Sequence, residues 1–78
     1  NKAIELKPKE ESTYFTKASI YMDLNNPQKA KDFIKKGLLI NKNNERGFFL
    51  LGNAEIMLNN YKLALISFQK CSKIRRKH

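Results

Sequence analysis

The sequence predicts an all-α solenoid of antiparallel helix pairs, about four helices plus the end of a preceding one, and three observations carry that expectation. The first is an internal repeat. Sliding the 78-residue chain by 34 places superposes Tyr14 on Phe48, Ala18 on Gly52, Leu24 on Leu58 and Asn25-Asn26 on Asn59-Asn60. The series continues with Ala30 on Ala64, Ile34 on Phe68, Gly37 on Cys71 and Ile40 on Ile74, and a fixed period of this length decides the architecture before any single residue does. The second is helical spacing: apolar or small residues recur three and four apart on both sides of each asparagine pair. The third is the asparagine pair itself, which has the chemistry to end one helix and start the next.

Taken in order, residues 11 to 24 read as a first helix with Tyr14, Ala18 and Tyr21 as its inward stripe. Asn25 suits the left-handed conformation that terminates a helix. Asn26 then caps a second helix over residues 27 to 40, with Pro27 at its first position, where a missing backbone N–H costs nothing. That helix carries Ala30, Phe33, Ile34, Gly37 and Leu38 toward the first. Asn41 to Asn44 form the connecting turn. The same reading places helices at about 45 to 58 and 61 to 74, with Asn60 as the cap of the last.

The residues Leu51-Gly52-Asn53-Ala54, followed by Tyr61, Ala64, Phe68 and Gln69-Lys70, resemble a tetratricopeptide repeat, whose period is also 34 residues. The resemblance covers essentially the whole chain. It implies a right-handed superhelical solenoid in which residues 11–44 and 45–78 are repeats, the second with a basic tail. Residues 1–10 are then the end of a preceding repeat and its turn, since Ala3-Ile4-Glu5-Leu6-Lys7-Pro8 is similar to a closing helix and its proline. In the family, the positions of Gly52 and Ala64 are small because paired helices cross closely there, and Ala18 and Ala30 fill those places in the first unit. The chain departs from the pattern at Lys17, Glu55 and Lys42. Lys17 and Glu55 are expected either to face each other across the repeat interface or to reach water separately. Lys42, in place of the usual proline, loosens the turn between units.

Catalysis and cofactor chemistry find no support. His78 is the single histidine and is terminal, and no base stands beside a candidate nucleophile. Cys71, the single cysteine, occupies a small core position and reads as a buried, inert thiol. No convergent set of metal ligands is visible, and Gly37, Gly47 and Gly52 are too scattered to cradle a phosphate. The expectation is a non-enzyme that needs no cofactor.

The resemblance implies instead a concave groove, lined by first helices, for a protein or peptide partner of unknown identity. Carrying the family's groove positions over one by one gives Ser12, Phe15, Ser19 and Met22 from the first unit, and Arg46, Phe49, Asn53 and Ile56 from the second. Phe15 and Phe49 would form an aromatic ladder, with Met22 and Ile56 as a second apolar row, unless these four pack against each other or a neighbouring repeat. Asn53 can pair donor and acceptor with a bound backbone. Some family members clamp the carboxylate of heat-shock chaperones with cations and asparagines on these helices. Phe15 and Phe49 stand where such a clamp wants polar groups, which disfavours it.

The formal charge of +9 opens an alternative. Lys31, Lys35, Lys36, Lys70 and Lys73, with Arg75, Arg76 and Lys77 trailing behind, fall on the convex second helices and would suit nucleic acid or an anionic lipid surface. A solvated basic back, in a lysine- and asparagine-rich composition, explains the same residues without a ligand. The uncapped ends suggest a third role. Leu65, Phe68, Cys71 and Ile74 would be partly exposed, favouring self-association or a spacer within a longer repeat protein. The absence of an initiator methionine and of a signal-like leader suggests an excised segment, and a single cysteine, which forms no internal disulfide and needs no oxidising compartment, points to an intracellular, cytoplasmic home.

Overall fold

The computed structural model describes residues 10 to 76 as four helices: α1 Glu10–Asp23, α2 Pro27–Ile40, α3 Glu45–Met57 and α4 Tyr61–Arg76. The reading of the first nine residues as part of a preceding repeat, and that of Lys77 as part of the basic tail, lie outside the described residues. α1 packs on α2 and α3 on α4, while α2 and α1 both touch α3. Among the described residues α4 packs on α3 alone. The Cα atoms accordingly fill a slab of 45 × 32 × 16 Å rather than a ball, as nearest-neighbour stacking requires.

Local chemistry sets the turns. Asn25 and Asn59 take the left-handed conformation, at φ of 61° and 65°, which asparagine tolerates better than most residues. In the first unit the N–H of Asn26 donates to the Tyr21 carbonyl at 2.8 Å and that of Asn25 to Met22 at 3.0 Å. One period later Asn60 donates to Glu55 at 2.7 Å and Asn59 to Ile56 at 2.9 Å. Both pairs thus close the same left-handed C-terminal motif and satisfy carbonyls a helix end would leave unpaired. Asn26 caps α2 by accepting from the Lys29 N–H at 3.3 Å, with Pro27 next to it. Asn60 does not cap α4 in this way: its side-chain amide turns back and donates to the Glu55 carboxylate at 2.9 Å. α4 runs two residues beyond the expected end, with Lys73, Arg75 and Arg76 in a last turn whose dipole favours cations.

The turn between units is also tied down. Asn44 accepts from the Gly47 N–H at 3.0 Å, capping α3. The side-chain amides of Asn41 and Asn44 both donate to one Glu11 carboxylate oxygen, at 2.9 and 3.0 Å. Glu11 therefore anchors the turn that Lys42, lacking proline's rigidity, leaves to side-chain bonds.

The buried centre is formed by Phe15, Ala18, Ala30, Ile34, Leu50 and Ala54, from α1, α2 and α3, with Tyr21, Met22, Phe33, Leu38 and Leu51 packed against it. Full burial of side chains such as Phe15 and Ile34 stabilises by about 1.5–3 kcal/mol each. The alanines hold the helices close, and the glycines do so more tightly. A Cβ on Gly52 would stand 2.5 Å from the Phe68 ring, one on Gly37 2.6 Å from Phe15, and one on Gly47 2.7 Å from both Phe15 and Leu38. Cys71 is buried, not part of the exposed end; Phe68 and Ile74 are half-buried. The large apolar residues left open on α4 are Tyr61, Leu63, Leu65 and Ile66.

Candidate partner-binding face

Helical geometry places residues 12, 15, 19 and 22 within about 80° of one another around the α1 axis, and residues 46, 49, 53 and 56 in the same way around α3. The stripe on α1 is not uniformly available. Ser12 is exposed and Ser19 half-buried, but Phe15 is only 1% exposed, and Met22 packs against the core. Phe15 cannot line a groove, because its ring is the knob that fills the joint, lying against Gly37 of its own unit and Gly47 of the next. The expected aromatic ladder is therefore absent. The signal that identifies Phe15 as core was present in the two glycines that accommodate it, but they are distant in sequence and are paired with it only by the stacking of units.

On α3 the same stripe stands open. Arg46 and Ile56 are exposed, Asn53 is half-buried, and Phe49 is 47% exposed while touching Phe68 at a ring-centroid distance of 6.0 Å. Two causes keep Phe49 out of the core. The glycine that receives Phe15 within its own unit, Gly37, corresponds one period on to Cys71. In addition, no helix among the described residues covers α3 as α3 covers α1. The candidate face thus consists of Ser12, Ser19, Arg46, Phe49, Asn53 and Ile56, with Met22 at its buried edge.

The basic residues divide differently from their expected single surface. Lys31 is not a surface lysine. Its ammonium lies 3.3 Å from the carboxylate of Glu55, which is 4% exposed, and its own side chain is 14% exposed. Of the two expectations for Lys17 and Glu55, their pairing is not found: Lys17 is exposed, while Glu55 is buried against Lys31 and does not reach water on its own. Lys17 lies over the Phe33 ring, 5.7 Å from its centroid, and the carboxylate of Glu55 is met by Lys31 of α2 instead. Lys36 also sits over Phe33, at 5.5 Å, and Lys70 over Phe48 at 5.5 Å. Arg75 is paired with Glu45, whose hydrogen bond and charge raise the guanidinium above its ordinary value. Lys35, Lys73 and Arg76 are exposed. Several of these cations are thus already engaged with rings or carboxylates.

Among the described residues no group of histidine, cysteine or carboxylate side chains could hold a metal ion, and no helix is long and apolar enough to cross a membrane. Short turns, stacked helix pairs and close crossings at small residues define a helical-repeat protein. The tetratricopeptide repeat model matches residues 11–44 and 45–78, and the chain belongs to that family. Repeats of this kind generally mediate protein–protein interaction, and the family is a scaffold type without catalytic machinery of its own. Among curated proteins no relative matches the chain.

Proposed function

We propose that the chain is a protein-binding adaptor segment that takes a peptide or helix of its partner against the α1–α3 face, chiefly through Arg46, Phe49, Asn53 and Ile56. The observation that carries this reading is the exposure of an aromatic and an aliphatic side chain, Phe49 and Ile56, about two turns apart on one helical face with the Asn53 amide between them. Apolar anchors around a group that can satisfy a ligand's backbone are what a peptide site requires. Ser12 and Ser19 extend the face along α1.

The test is a selection of peptide ligands from a displayed library on the immobilised chain, followed by binding of each ligand to Asn53→Ala/Ile56→Ala. Neither residue contributes to the helix-crossing glycines or the Phe15 joint, so helicity should be unchanged. Ligands of the proposed face should lose at least tenfold in affinity; ligands that bind the variant as tightly as wild type would sink the assignment.

A second reading has an observation of its own. Phe49 occupies the position that Phe15 uses to join the two units, so the same face suits a following helix pair or a second copy of the chain. A second copy would bring Thr13 to the place of Gly47, where even a methyl group meets Phe15. A following helix with a small residue there fits better than self-association.

A further inference from the structure

On the side of the molecule formed by the inter-unit turn and α4, an open cleft of about 730 Å³ has Phe48 and Ile74 among its lining residues together with the cations Lys42, Lys70, Lys73 and Arg76. Asn43 completes the lining, and among the described residues no acidic side chain takes part. The two ion pairs of the described residues lie elsewhere: Glu45 is taken by Arg75 and Glu55 by Lys31. Four positive charges are thus gathered around an apolar floor with no counter-charge among the described side chains that line it.

The floor is itself incomplete. In the first unit the counterpart of Phe48 is Tyr14, which stacks on Phe33 with ring centroids 6.2 Å apart. The second unit has Ser67 in place of Phe33, so Phe48 has no such ring partner and is half-buried beneath the Lys70 ammonium. A ligand that suits this arrangement brings an apolar group to Phe48 and Ile74 and negative charge to the rim. A bare phosphate uses only the rim. A nucleic-acid strand satisfies the cations, but a stacking base needs a ring face that Lys70 already covers.

We propose that the cleft docks an acidic protein segment bearing an apolar side chain, which seats against Phe48 and Ile74 while flanking aspartates or glutamates meet Lys42, Lys70, Lys73 and Arg76. This site is separate from the α1–α3 face and stands or falls without it.

Two fluorescein-labelled peptides test it on the 78-residue chain: Asp-Glu-Asp-Phe-Asp-Glu-Asp and its counterpart with serine in place of phenylalanine. The phenylalanine peptide should bind at least tenfold more tightly, the contribution expected of a buried ring. Lys73→Glu/Arg76→Glu should weaken it at least tenfold with the helical circular-dichroism signal retained, and Lys70→Glu should act in the same direction. Asn53→Ala/Ile56→Ala should leave this binding unchanged. Equal binding of the two peptides reduces the cleft to a non-specific charge and overturns the proposal. So does absence of binding, or tighter capture of a mixed-sequence single-stranded oligonucleotide that is lost in the same charge-reversal variant.

Discussion

The two units share one register but fill it with different chemistry. In the first, Tyr14 and Tyr21 stack on Phe33 at centroid distances of 6.2 and 5.5 Å, with Lys17 and Lys36 above the same ring. In the second, the corresponding positions are Phe48, Glu55 and Ser67. Glu55 is buried there and takes its counter-charge from Lys31 of the first unit and a hydrogen bond from Asn60. The first unit is held by rings of its own; the second depends on a charge supplied across the joint. Helix pairs of one backbone design are thus made unequal, and the inequality fixes their order: only the first unit offers, in Lys31, the lysine that Glu55 needs, and only the second offers, in Gly47, the glycine that Phe15 needs across the joint.

The largest expected effect separates the two phenylalanines. Phe15→Ala removes a fully enclosed ring and should cost about 3–5 kcal/mol, a large part of the roughly 4–12 kcal/mol that a chain of this size has to lose. Phe49→Ala, at a half-open position, should cost less than about 1 kcal/mol. Urea unfolding followed by circular dichroism gives both values. Comparable losses at the two sites would mean that Phe15 is not the knob of the joint, and the contrast between the units would collapse.

Next in size is the charge across the joint. Glu55→Gln leaves the Lys31 ammonium enclosed without its counter-charge, and breaking a buried pair in this way should cost about 2–3 kcal/mol after allowance for the lysine's residual access to water. At about 4–8 °C per kcal/mol for a domain of this size, the midpoint should fall by at least 8 °C or so. Lys31→Met combined with Glu55→Leu should recover most of the loss, because matched apolar side chains replace such pairs with little penalty. A double-mutant cycle showing coupling below about 0.5 kcal/mol would disconnect the two residues.

Much of this architecture was legible from the residues. The period placed all four helices, and the asparagine pairs marked both turns because left-handed backbone and capping demand that kind of side chain. What a repeat register cannot show is which side of a stripe the neighbouring unit occupies. Phe15 and Phe49 are equivalent by period, yet one is enclosed and the other open, since enclosure depends on Gly47, thirty-two residues away from Phe15. Lys31 presents the same difficulty. On a sequence it is one lysine among many on a basic helix, and only the burial of Glu55 singles it out. Asn60 illustrates a third limit: an asparagine in the capping position has a second possible partner, and a buried carboxylate five residues back outcompetes the cap.

The smallest effect sharpens the comparison at the glycines. Alanine at either position gains about 1 kcal/mol of helix propensity over glycine, and that gain has to be set against the new methyl group. At Gly47 the methyl meets the Phe15 ring and a Leu38 methyl, both at 2.7 Å. Phe15 is enclosed and has nowhere to turn, so overpacking should dominate and Gly47→Ala should destabilise by about 2 kcal/mol net. At Gly52 the contact is nominally shorter, 2.5 Å to Phe68. Phe68, however, is half-buried beside the open Phe49, which should let its ring swing outward to relieve the contact. Gly52→Ala should therefore fall within about 1 kcal/mol of the parent chain. Thermal unfolding of the two variants decides the matter. A larger loss at Gly52 than at Gly47 would show that the second unit is packed as rigidly as the first, and that the openness of Phe49 leaves its neighbour no room to move.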